Sequence, residues 1–339
     1  MDRLSIQGDY IDSQLYGGYL YLWTFNGSLR VYNYYEICKH WMMLMSQNEQ
    51  RHRHGDLPTA FRESQYCISE VDLTRFLIYE RPYLTEEFPI GTEFIFDRLY
   101  EANALGLFVC EAPLFKELGP TQKIWDSPLI SVNGARQRGL ICSAGSDGVF
   151  WLPPSKREQK LLRLSDRQSI MSSFCAPGIY VQTSIDEPFL LRRENHTYGH
   201  EALLESSLFP VEEDRHLFVK LPRMTWAWKN DFYLAEGHTL QVFEFVEGSK
   251  PRMRMKKQVE FFQWKGDFVS AGTCDMGTVI ELDYAVFLFN DLEEEGCRLT
   301  IEGPVTRWRL FPRSRGYQSH VHIILNDRLD IVDFRNAMD

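Results

Sequence analysis

The 339-residue chain reads as an all-β protein made of short antiparallel strands in repeated four-stranded units. Three observations carry that reading. Aromatic residues make up 14% of the chain, with 23 Phe, 16 Tyr and 8 Trp, and such side chains suit the half-buried surface of a sheet better than a helical bundle. Short apolar runs come in pairs joined by turn residues, as in Tyr19 to Phe25, the turn Asn26-Gly27, then Leu29 to Tyr34. Finally, Trp228-Lys229-Asn230-Asp231-Phe232 returns as Trp264-Lys265-Gly266-Asp267-Phe268, and each copy leads into an apolar run, a turn and a second run.

Taken in order, the units start near residues 9, 91, 128, 168, 223, 259 and 304. The first holds the Asn26-Gly27 hairpin and then breaks: Ile37 to Met45 reads as a short helix, followed by a polar, loop-like stretch from Ser46 to Asp56. The second is Thr92–Phe96, Arg98–Tyr100, Gly106–Cys110 and Lys123–Trp125. The third is Leu129–Val132, Gly139–Ala144, Val149–Leu152 and Leu161–Leu164, turned by Ser146-Asp147-Gly148. The fourth opens at Ile170–Phe174, continues through Ile179–Thr183 and Phe189–Leu191, and resumes after a polar stretch at Leu217–Lys220. The tandem copies form the fifth and sixth, closed by Met253–Lys256 and Cys297–Ile301. The seventh is Arg307–Leu310, Val321–Leu325 and Leu329–Phe334.

Where no insertion intervenes the spacing is close to the ~40–45 residues of a four-stranded propeller blade. The expectation is a seven-bladed β-propeller forming one domain over 1–339, with insertions at about 36–72 and 193–216. A two-layer sandwich would not repeat a five-residue motif at a fixed offset. The seventh unit has only three strands, while Leu4-Ser5-Ile6-Gln7 stands as an orphan strand before the first. Residues 3–7 are therefore expected to pair with 329–334 as the outer strand of the last blade, closing the ring and removing its exposed edges.

The small-residue turn Ser143-Ala144-Gly145-Ser146-Asp147-Gly148-Val149, its counterpart Ser270 to Val279, and the Trp-Lys-x-Asp-Phe pair resemble WD40-like β-propellers over nearly the whole chain. The family's Gly-His and Trp-Asp dipeptides fall out of register here: Gly237-His238 lies in a hairpin turn and Trp125-Asp126 follows an outer strand. The resemblance is to the fold, and it implies a scaffold rather than a particular chemistry.

A net charge of −10 argues against general affinity for nucleic acid or anionic membrane. No apolar run approaches the ~20 residues of a membrane helix, and no secretory leader is visible. Seven scattered cysteines read as free thiols of a reducing cytoplasm, several of them buried in strands. The sequon Asn195-His196-Thr197 is then a chance match. No phosphate-cradling glycine loop, cofactor signature or zinc-ligand spacing is present. His196 and His200 have helical metal-ligand spacing but flank Tyr198-Gly199, a poor helix. His320 and His322 share a strand face and could converge on a metal, yet no third ligand is evident. Asp147, Asp231, Asp267 and Asp275 sit at turns, where aspartate bonds its own backbone. Ser143 and Ser270 have no obvious base.

The positive signals are for contact. Trp226, Trp228, Trp264 and Trp308 recur at blade starts, where core packing is their ordinary role. Basic residues cluster at Arg252, Arg254, Lys256 and Lys257, the pattern of a solvated outer strand, and at Arg307, Arg309, Arg313 and Arg315, where Trp308 alternates with arginine. The expected function is a non-catalytic scaffold or regulatory subunit in a cytoplasmic protein complex. One or more proteins are the partners; no cofactor and no metal is called for. Trp41, Met42 and Met45 are the expected apolar contacts, and Arg307, Trp308, Arg309, Arg313 and Arg315 the second contact set. The alternatives are a propeller hydrolase or lyase with a site at the channel mouth, and a small-ligand sensor.

Overall fold

The computed structural model describes residues 2–53, 65–114, 116–154, 160–184, 188–193, 203–207, 223–246, 252–260, 266–289, 299–314 and 316–333. Their strands form seven sheets, the blades of a seven-bladed β-propeller. The chain divides into two compact units, one of Met1–Phe88, Thr273–Val279 and Tyr284–Asp339, the other of Pro89–Gly272 and Ile280–Asp283. Blades one and seven belong to the first unit and blades two to five to the second; residues of the sixth belong to both.

In the second unit, blade two is Gly91–Ile95, Arg98–Asn103, Gly106–Glu111 and Gln122–Trp125. Blade three is Ser131–Ala135, Gly139–Ser143, Val149–Leu152 and Leu162–Ser165. Its Ser146-Asp147-Gly148 turn needs glycine: Gly148 has φ 95°, and a Cβ there would collide with the Ser165 carbonyl. Neighbouring blades share cores. Ile141 and Val149 of blade three pack with Val181 and Phe189 of blade four, and Tyr180 and Leu190 of blade four with Phe232 and Leu234 of blade five. Strands packed on both faces become continuously apolar, which is why Gly139–Ser143 and Ala285–Phe289 are buried throughout. Trp226 is buried and stacked on Tyr233 with ring centroids 5.0 Å apart, so this tryptophan is core. Four described cysteines are buried free thiols; burial pushes Cys142 and Cys274 up, and Cys175 up to about 12.

Three strand expectations are corrected. The fourth strand of blade four is Leu203–Ser207, paired with Phe189–Arg193, so it lies within the stretch read as an insertion. Leu217–Lys220, the expected fourth strand, falls outside the described residues. The tandem motif is not the blade period. Blades five and six begin at Arg223 and Phe268, 45 residues apart, whereas the motif recurs after 36. Trp228-Lys229-Asn230-Asp231 turns the first hairpin of blade five, with Lys229 at φ 53°. Gly266-Asp267-Phe268 instead leads into the first strand of blade six, and Trp264-Lys265 lies outside the described residues. Val259, expected to open blade six, pairs with Leu240 inside blade five. Cross-strand pairing sets blade boundaries, and a short motif compatible with any tight turn can recur out of phase with it.

In the first unit, blade one is Tyr10–Tyr16, Tyr19–Thr24, Ser28–Asn33 and Leu77–Pro82, with an insertion between its third and fourth strands. Blade seven is Val305–Leu310, His320–Leu325 and Arg328–Asp333. Asp2–Gln7 completes it antiparallel to Arg328–Asp333, from Asp2 opposite Asp333 to Gln7 opposite Arg328, as the orphan strand predicts. It is not the outermost strand: Gln65–Ile68 from the insertion adds a fifth, parallel to Arg3–Ile6. Leu4 and Ile6 are fully buried, and so is Asp330, which accepts from Ser5 Oγ at 2.6 Å and Arg3 Nη2 at 2.6 Å.

Candidate interaction site

The insertion in blade one folds into the helix Tyr34–Arg53, the strand Gln65–Ile68 and the short helix Glu70–Leu73. The long helix starts where Asn33 Oδ1 accepts the Glu36 backbone N–H at 3.2 Å, an N-cap. It is longer than Ile37 to Met45, because Gln, Glu and Arg sustain a helix once it is capped and no Gly or Pro interrupts it before Gly55. One face, Tyr34, Ile37 and Trp41, enters the core with Leu15, Leu73 and Phe311. The Arg75 guanidinium donates to His40 Nε2 at 2.9 Å, and burial together with that cation holds His40 below its ordinary value. The opposite face carries Tyr35 at 68% exposure, Met42 at 62% and Met43 at 48%. Trp41 is therefore buried core and not a presented contact. Met42 is exposed, as are Tyr35 and Met43, and the side chain of Met45 lies outside the described residues. The i, i+7, i+8 spacing of Tyr35, Met42 and Met43 was the available signal for this face.

The second basic cluster divides. Arg307 Nη1 reaches Asp12 Oδ2 at 3.0 Å, and Arg309 Nη2 reaches both Asp12 oxygens at 2.9 Å. Asp12 is fully buried and also accepts the Ser13 backbone N–H at 2.9 Å. Both arginines point to this carboxylate while Trp308, on the alternate face, packs against the core of blades six and seven. Arg307, Trp308 and Arg309 thus tie blade seven to blade one. Arg313 is exposed on the following loop and Arg315 lies outside the described residues. In the first cluster Lys256 pairs with Asp231 at 2.8 Å and Arg254 with Glu244. Sequence reading missed Asp12 because its partners are nearly 300 positions away.

His322 lies beside this network. It is fully buried and shares a hydrogen bond of 2.9 Å with Ser13 Oγ through Nδ1; its Nε2 is buried without a partner. His320 does share its face, but its Nε2 lies 3.4 Å from Asp333 and its ring stacks on Tyr317. Among the described residues no three His, Cys, Asp or Glu side chains converge to hold a metal ion. The pair His196 and His200 falls outside them. Ser143 hydrogen-bonds Ser172, and Ser270 hydrogen-bonds Glu281.

No protein-family model and no curated protein matches the sequence. Solved structures do. BBS1N in complex with ARL6DN superposes with a TM-score of 0.56 at 10% identity, over 98% of this chain and 94% of that one. A chain of the S. cerevisiae assembly of Dbp5 bound to Nup159, Gle1, IP6 and ADP gives 0.53 at 11% identity, over 96% and 89%. Kluyveromyces lactis Hsv2 gives 0.52 at 8%, over 93% and 89%. The fold is that of a WD40-like β-propeller. No described helix of this propeller is long and apolar enough to cross a membrane.

The propeller's stability should depend on His322. Burial, then the neighbouring His320 and Arg309, hold its imidazole well below the ordinary value. The folded state then binds fewer protons than the unfolded chain, whose histidine titrates near about 6.5. The contribution is complete above that pH and is lost as pH falls toward the folded value, by at most about 1.4 kcal/mol per pH unit for one proton. Melting temperatures of wild type and His322→Phe between pH 7.5 and 5 check this: the wild type should lose more on acidification. Parallel curves would sink it.

Proposed function

We propose that the chain is a single-domain propeller acting as a non-catalytic scaffold or regulatory subunit of a cytoplasmic protein complex. The observation that carries this reading is the helix Tyr34–Arg53. Its Tyr34, Ile37 and Trp41 face is locked in the core of the first unit, and its Tyr35, Met42 and Met43 face is exposed. A rigidly mounted apolar face of this kind suits protein recognition, with methionine adapting to the partner's relief. Arg313, exposed on the loop after Val305–Leu310, and Arg315 are proposed as polar contacts, and Met45 as a further apolar one. The structural neighbours are compatible with the role: BBS1N was solved with ARL6DN bound.

Native pull-down with mass spectrometry tests the reading, with the double variant Met42→Glu, Met43→Glu beside the wild type. These side chains are exposed, so the melting temperature should be unchanged within the ~0.5 kcal/mol typical of surface positions. A partner recovered with the wild type should bind the variant at least about tenfold more weakly, the scale of losing one interface anchor. A chain that returns alone and monomeric, or a partner indifferent to the variant, would remove the helix from this role.

A further inference from the structure

A second exposed apolar feature of the first unit lies away from the helix, on two loops of blade one. Phe25, in the hairpin turn after Tyr19–Thr24, is 51% exposed, and Phe88, in the segment after Leu77–Pro82, is 53% exposed. Their rings meet edge to face with centroids 6.2 Å apart. Phe88 also contacts the buried Tyr83 at 6.1 Å.

The backbone beneath them is cross-tied. Phe25 N–H donates to the Asp9 carbonyl at 3.2 Å, and Tyr83 N–H to the Gly27 carbonyl at 3.1 Å. The Tyr83 hydroxyl donates to the Thr24 carbonyl. Thr85 Oγ1 accepts the Glu87 N–H at 3.2 Å, a local turn that sets the direction of the chain into Phe88. Fixed geometry lowers the entropy cost of using such a surface.

The segments that carry the rings are mainly acidic. Segments 8–10, 24–28 and 82–88 hold the exposed carboxylates Asp9, Glu86 and Glu87, while the neighbouring Arg81 donates its Nε to the Pro82 carbonyl at 3.3 Å. Aromatic faces carry negative quadrupole potential, and flanking carboxylates add to it, so a cation with an apolar stem fits both parts. Arginine suits best, because its guanidinium is weakly hydrated, stacks on rings and forks onto carboxylates.

We propose that Phe25 and Phe88, flanked by Asp9, Glu86 and Glu87, form a docking clip for an extended basic segment of a partner protein, one that lays an arginine or lysine stem across the two rings. The clip stands on residues distinct from Tyr35, Met42 and Met43, so it survives or fails independently of the helix.

Selection of random linear dodecapeptides by phage display on the full-length chain tests it. Enriched peptides should carry arginine or lysine beside a bulky apolar residue. Their affinity should fall at least about tenfold for Phe25→Ser, Phe88→Ser and for Glu86→Lys, Glu87→Lys, and weaken with added salt, as charge-complementary contacts do. It should be unchanged for Met42→Glu, Met43→Glu, and melting temperatures establish that each variant is folded. Because the charge-reversal variant leaves both rings in place, it keeps the test readable if the serine variant misfolds. No enrichment, acidic consensus peptides, or peptides indifferent to both clip variants would overturn the proposal. So would a concentration-dependent dimer of the wild type lost in Phe88→Ser, which would make a second copy the occupant.

Discussion

Replacing Asp12 with alanine is expected to destabilise the protein by about 3–5 kcal/mol, the usual result of removing one member of a buried ion pair. The carboxylate is fully buried and serves two guanidiniums at once, Arg307 through one oxygen and Arg309 through both. Without it, two partly buried cations lose a buried anion, and Arg309 sits directly opposite the buried His322 in the strand pairing. A loss of this size is a large fraction of a typical 5–15 kcal/mol stability. Denaturant unfolding followed by intrinsic fluorescence measures it. The asymmetry of buried pairs provides an internal check. Replacing all three members, as Asp12→Leu, Arg307→Met, Arg309→Met, should recover most of the loss, because desolvation of the charges disappears with their attraction. A single-variant loss below about 1 kcal/mol would show that the network contributes little to joining blades seven and one.

Deleting residues 2–7 is expected to cost at least as much. Leu4 and Ile6 are fully buried, and burying a side chain of that size contributes about 1.5–3 kcal/mol each. The deletion also strips Asp330 of Arg3 and Ser5, leaves the Arg328–Asp333 strand with an open edge, and removes the strand on which Gln65–Ile68 is registered. A markedly lowered melting temperature and increased aggregation should follow. The point variant Ile6→Asp reaches the same end without shortening the chain. An unchanged melting temperature in both would mean that the terminal strand is not what completes blade seven.

The closure was legible because an orphan strand at one end and an incomplete unit at the other make a matching pair whatever lies between. Hairpins were legible where the turn demands particular residues, as at Gly27 with φ 86° and Gly148 with φ 95°. The blade-six boundary was not. The first copy of Trp-Lys-x-Asp-Phe turns a hairpin within blade five, whereas Gly266-Asp267-Phe268 of the second leads into the first strand of blade six, and the true register lies in pairings such as Leu240 with Val259. Leu203–Ser207 escaped for a related reason: its strand character comes from the partner Phe189–Arg193 more than from its own polar sequence.

For the candidate site, the structure separates side chains that the sequence groups together. Trp41 and Met42 are adjacent, yet a helix turns neighbours about 100° apart, so one enters the core and the other faces water. Arg307 and Arg309 looked available to a partner because their charge is local and their carboxylate distant. The sequence by itself determined the all-β class, the seven blades and the terminal closure, since period, turn chemistry and strand count are local properties. The tertiary structure alone decided which charges are neutralised, which helix face is presented and where Phe25 meets Phe88. Those depend on distances between residues far apart in the chain, which no local pattern encodes.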